Sequence, residues 1–212
     1  MAGGRATVPR GRHAPPLEVR LGVQRDRLLE AAAAVFARSG YADASAESIA
    51  REAGMSKATF YEHFANKEEC ILALFDEGAR TVLAAMAQAT AAAGDDPQDR
   101  MRAGIKAFLS EIATHRNASQ TLLVEIIGAG PRAAERRDAI LEGFASALYD
   151  EAEHAARTGQ TKGFATREDA FAVIAAGAEL ASRQLRLGTP SDARELEPVL
   201  ERLLLGALSR AQ

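Results

Sequence analysis

Three observations predict an all-α fold. Alanine, the strongest helix former and a residue that sheets use sparingly, occurs 47 times in 212 residues. Apolar residues recur at three- and four-residue spacing, and no strand pattern of convincing length interrupts them. Gly, Pro and capping residues cut the chain into helix-sized pieces. Composition excludes other classes. The single cysteine, Cys70, rules out an intrachain disulfide framework and any multi-cysteine zinc site. There is no run of about 18 apolar residues to span a bilayer. The Arg- and Pro-rich start carries no apolar signal core. A cytoplasmic protein with no membrane partner is therefore expected.

The net charge of −3 is unevenly spread, at +3 over residues 1–67 and −6 over residues 68–212. A basic front and an acidic back suggest different partners at the two ends.

The elements follow in order. Residues 1–20 read as a flexible basic arm, with Arg5, Arg10, Arg12 and Arg20 among Gly and Pro; a solvated tail and a nucleic-acid-binding arm both fit. From Val23 to Ser39, Leu28, Ala32, Val35 and Phe36 share a helical face, and Gly40 offers a left-handed stop. Ser45 can cap a short helix with Ile49, Ala50 and Ala53 inside. Gly54 ends it, and a second short helix runs from Ser56 through Tyr61. Asn66 is placed to cap a longer helix, with Glu69 as its capping-box partner. That helix carries Ile71, Leu72, Leu74, Phe75, Val82 and Leu83. Pro97 opens a helix to about His115, and residues 118–127 are compact and apolar. Pro131 starts a long helix to about Arg157. Helices over 167–187 and 192–210 complete the chain.

The stretch SAESIAREAGMSKATFYEHFANK, residues 45–67, carries the functional signal. Two short helices joined by a tight turn at Ala53-Gly54-Met55 make a helix-turn-helix. Ala50 is small where the helices cross, Gly54 supplies a positive φ, and Ile49, Met55 and Phe60 supply a shared core. In such a pair the second helix enters the major groove with its N-terminal residues against base edges. Lys57, Ala58 and Thr59 sit there. Lys57 can reach guanine O6/N7 or a phosphate, and the methyls of Ala58 and Thr59 suit the thymine methyl. Ser45, Ser56, Tyr61, His63 and Lys67 are candidate phosphate contacts.

Residues 23–75 resemble the DNA-binding domain of the tetracycline-repressor (TetR) family of bacterial transcriptional regulators. The match rests on Ser45, Ile49-Ala50, Ala53-Gly54-Met55-Ser56, Tyr61, Phe64 and Lys67. Ala58 and Phe60 depart mildly, standing where Gly and Leu are frequent. The resemblance implies a three-helix DNA-binding domain over 21–67, then a helical ligand-binding and dimerisation domain over 68–212. It implies a homodimer on a palindromic double-stranded DNA operator, a small-molecule effector, and repression relieved by that effector. The last two helices would pair with their copies in a four-helix bundle. Phe171, Ile174, Ala175, Ala178 and Ser182 form one apolar stripe; Leu196, Val199, Leu200, Leu203, Leu204 and Leu208 form the other. Both stripes also fit burial within one chain.

For the effector, Glu125 is a lone carboxylate inside LLVEIIGAG, suited to reading a ligand or pairing with Arg183 or Arg102. Glu179 and Arg183 have the spacing of a helix ion pair. Phe108, Phe144, Tyr149 and Phe164 line a pocket or fill the core. Four scattered histidines lack metal-ligand spacing. No phosphate loop or nucleophile elbow is present, so neither a metal, a cofactor nor catalysis is expected.

Overall fold

The computed structural model describes residues 16–208, and among these every regular element is helical. In chain order they are α1 (Leu17–Asp43), α2 (Ala46–Glu52), α3 (Lys57–His63), α4 (Lys67–Ala92), α5 (Pro97–Thr114), α6 (Arg116–Leu123), α7 (Pro131–Arg157), α8 (Arg167–Leu187) and α9 (Glu197–Leu208). A 3-10 turn, Glu125–Gly128, follows α6, and another, Ala193–Leu196, precedes α9. Arg5, Arg10 and Arg12 lie outside the described residues. The expected boundary of the arm at residue 20 is corrected, because residues 17–20 already form the first turn of α1.

Local capping sets most helix starts. Ser45 and Ser48 cap α2 reciprocally, each side chain accepting the other's backbone N–H. Ser56 Oγ accepts from Thr59 N at 3.0 Å, and Asn66 Oδ1 from Glu69 N at 2.9 Å. Glu69 does not return a capping bond. Its carboxylate accepts instead from Arg132 on α7 at 2.6 Å. Asp96 caps α5 and Thr166 caps α8. Pro131 occupies the first turn of α7.

The main core joins α1–α3 to the rest of the chain. Leu28, Val35, Phe36, Ile49, Phe60, Cys70 and Ile71 pack with Leu122, Ile126 and Ala133 in one buried cluster. The expected boundary at residue 67 therefore falls in the first turn of α4, and apolar packing crosses it. The inner face of α4 also changes character along its length. Ile71, Leu74 and Phe75 are buried, whereas Val82 is half-buried and Leu83 is 42% exposed. These two line a cavity rather than a packed core.

Two side chains answer backbone groups freed where α1 ends. Gly40 has φ 76° and ψ 161°, so the helix breaks there without adopting the left-handed helical conformation expected. The Tyr41 amide beyond it donates to Glu125 Oε2 at 3.0 Å. Lys67 Nζ donates to the carbonyls of Tyr41, Ala42 and Ala44 at 2.8, 2.9 and 3.0 Å, and it stands 4.5 Å from the Tyr41 ring centroid. All three ammonium donors are thereby used.

The C-terminal stripes divide. Leu196, Leu200, Leu204 and Leu208 are buried inside the chain, while Val199 and Leu203 face outward at 39% and 37% exposure. On α8, Ala178, Ala181 and Ser182 are buried, and Phe171, Ile174 and Ala175 are half-buried. Glu179 pairs with Arg186 at 2.8 Å rather than with Arg183.

Lys67→Met should lower stability by about 1–3 kcal/mol, since it leaves carbonyls at the α1 end without their charged donor. Urea denaturation measures this; a purely DNA-facing lysine would leave the midpoint unmoved. Cys70 is fully buried, and burial pushes its thiol up to about 12. It should resist Ellman's reagent at pH 8 in the native protein and react once the chain is unfolded.

Candidate nucleic-acid interface and effector cavity

The helix-turn-helix is built as its residue types require. Gly54 has φ 68°, a conformation that a side chain would strain. Arg27 of α1 reaches across and donates to the Ala53 carbonyl at 2.8 Å, fixing the turn to the helix behind it. Ile49, Ala50 and Phe60 are almost completely buried, and Met55 packs against them. With Phe60 held inside, the opposite face of α3 is turned outward. Lys57, Ala58, Tyr61 and Glu62 are exposed there.

The expected DNA contacts separate on inspection. Lys57 stands in the first turn of α3 with no side-chain partner among the described residues. Tyr61 is 51% exposed, its ring edge-on to Phe60. Ala58 is exposed on the same helix. The Thr59 hydroxyl is tied to Ser56 Oγ at 2.9 Å. Ser45 and Ser56 both spend their oxygens as caps. His63 lies 3.4 Å from Gln24 of α1. Lys67 is placed differently from the expectation: its donors are consumed within the fold, so it orients the module instead of extending toward a phosphate.

A cavity of about 410 Å³ opens between α4, α5, α7 and α8, within the size range of small-molecule sites. Its wall is aliphatic and aromatic, including Val82, Met86, Ile105, Phe108, Leu141, Phe144 and Leu148. Phe108 and Phe144 are thus where a pocket reading puts them. Glu125 and Tyr149 are not on its wall. Glu125 serves the Tyr41 amide and lies 3.4 Å from Gln120 Nε2, while Arg102 pairs with Glu201 at 2.6 Å and Asp99 at 3.1 Å. Tyr149 stacks on Phe164 and beneath Arg167.

Sequence reasoning missed the polar groups of the cavity. Arg100 Nε donates to Glu151 Oε1 at 2.6 Å, and this bond keeps the guanidinium firmly protonated. Arg137 also borders the space. The available signal was the α7 spacing 137, 141, 144, 148 and 151, which places two charged residues at the ends of one apolar face. Among the described residues no group of three or more His, Cys, Asp or Glu is arranged to hold a metal, and no helix is long and apolar enough to cross a membrane.

Comparison with known proteins gives the same assignment for the front of the chain. Residues 28–74 match the family model for bacterial regulatory proteins, tetR family. The HTH-type transcriptional activator FasR of Mycolicibacterium smegmatis is 30% identical over 127 residues, covering 60% of this chain and 58% of that protein's length. Among solved structures, the fatty acid degradation regulator FadR of Bacillus halodurans superposes with a TM-score of 0.79 at 21% identity, over 87% of this chain and 96% of that one. FadR of Bacillus subtilis, solved in complex with stearoyl-CoA, gives 0.76 at 21% identity, over 86% and 98%. Those two likenesses establish a shared fold across nearly the whole described chain. With its capped α2–α3 pair and its Gly54 turn, the stretch over residues 28–74 is similar to the bacterial regulatory proteins of the tetR family, and the rest of the chain shares the fold of the FadR structures.

Proposed function

We propose that the protein is a DNA-binding transcriptional regulator whose operator affinity is set by an apolar small molecule held in the cavity. One observation carries this reading: α4 belongs to both sites. Its first turns pack Cys70, Ile71 and Leu74 into the core beneath α2 and α3, and its later turns, through Val82 and Met86, wall the cavity. The helix has 26 residues and is about 39 Å long. A ligand that shifts its far half tilts the DNA-reading half. For release, the ligand must bind the DNA-incompetent arrangement more tightly, and DNA must weaken ligand binding by the same factor.

Lys57 and Tyr61 are assigned direct DNA contacts, with Ala58 and Thr59 beside them for thymine methyls. The protein acts as a homodimer on a palindromic operator, because two recognition helices must meet major-groove faces about 34–36 Å apart. The outward Val199 and Leu203 of α9 supply an apolar surface for a second copy. The regulator is a repressor relieved by its effector.

Lys57→Ala and Tyr61→Ala should each weaken binding to an operator selected from a random duplex pool by about five- to a hundredfold, equivalent to about 1–3 kcal/mol. Fluorescence anisotropy measures the affinity, with helical circular dichroism unchanged. Full affinity in both variants would remove α3 from the interface.

A further inference from the structure

Glycine in the middle of a helix costs stability relative to alanine, so it is kept where the backbone or the packing demands it. Gly78 is the single glycine of α4, and its φ is not positive. Packing is the demand. A methyl group on Gly78 would stand 3.3 Å from Cγ and Cδ2 of Leu122, and closer still to Cδ1. Carbon atoms prefer separations of about 3.5–4.0 Å, so these would overlap. The branched end of Leu122 therefore lies in a notch on α4 that the missing side chain leaves.

Leu122 has two sides. It packs into the main core, and it also borders the cavity. Gly78 does not border the cavity, although Phe75, Ala79 and Val82 of the same helix do. The end of α6 that carries Leu122 is held from behind. Ser182 of α8, 2% exposed, donates its hydroxyl to the Leu123 carbonyl at 2.9 Å and accepts from Arg186. The α4 side is held as well, because Asp76 accepts two bonds from Arg136, at 2.6 and 2.8 Å. A close-packed interior offers little other room. A Leu122 side chain displaced from the notch has the cavity to enter.

We propose that Gly78 is a specificity-determining residue for the effector, although it does not touch the cavity: it stores the end of Leu122 outside the space that the effector fills. This rests on the reading of the cavity as the effector site and adds to it a residue that sets its size. With the notch filled, Cγ, Cδ1 and Cδ2 of Leu122 turn inward and take volume from a cavity of about 410 Å³. A bulky ligand then has to drive the leucine back against α4, and its affinity falls. The notch on the far side of one leucine thus limits the size of molecule the protein accepts.

Fluorescence titration of the intact protein with N-phenyl-1-naphthylamine, an uncharged aromatic probe that brightens in apolar surroundings, tests this. Gly78→Ala should weaken its binding about tenfold, and adding Leu122→Val, whose side chain is one carbon shorter, should restore affinity to within about twofold. Helical circular dichroism should be retained, since alanine favours the helix. In the wild type, a nuclear Overhauser contact joins a Leu122 methyl to the Gly78 α-protons. Unchanged probe affinity in Gly78→Ala, or a loss that Leu122→Val does not recover, overturns the role of Gly78 and leaves the cavity reading standing. Absence of the wild-type methyl contact overturns that role without recourse to a variant. No brightening with the wild type overturns both readings.

Discussion

The arrangement of the molecule depends on how the backbone is satisfied where α1 breaks at Gly40. The break removes helical partners from the Tyr41 amide and from the carbonyls of Tyr41, Ala42 and Ala44. Groups of this kind at a half-buried position must find replacements. Both replacements come from outside α1–α3. Glu125, in the 3-10 turn after α6, takes the amide, and Lys67, opening α4, takes the carbonyls. The helix-turn-helix module is therefore tied to the rest of the chain by charge-assisted hydrogen bonds at one point, in addition to the shared apolar core.

The tie is continuous with the cavity. Glu125 lies two residues after Leu123, which with Leu122 contributes to the cavity wall, and Lys67 begins the helix that forms another side of it. Arg132 and Arg136 of α7 hold the same helix through Glu68, Glu69 and Asp76. A change in cavity volume thus acts on elements that are fixed at the α1 end. Packed cores transmit such displacements because they have few alternative arrangements of similar energy.

The helix-turn-helix was legible in the sequence because its determinants are local. Ser45, Ser56 and Asn66 each cap a backbone N–H three residues on, and Gly54 sits at the turn it permits. The helices that open at Pro97 and Pro131 were legible for the same reason. Lys67 and Glu125 were not. A lysine beside a DNA-reading helix suggests a phosphate, and a carboxylate in an apolar run suggests a ligand. Their actual partners lie 23 to 26 residues away for Lys67 and 84 for Glu125, and they are backbone groups that no side-chain pattern records. Phe108 and Phe144 border the cavity, and periodicity could not distinguish them from Tyr149, which stacks on Phe164 outside it. The Arg100–Glu151 pair joins residues 51 apart on α5 and α7, so no local spacing records it.

The most direct test of this account is hydrogen exchange at the Tyr41 amide in the intact protein, wild type against Glu125→Ala. If Glu125 holds the junction, that amide is protected in the wild type. In the variant it exchanges about tenfold faster or more, as loss of about 1.4 kcal/mol requires, with matching loss of protection in the last turn of α1. An unchanged Tyr41 exchange rate in Glu125→Ala would contradict the account, because the junction would then be held by apolar packing alone.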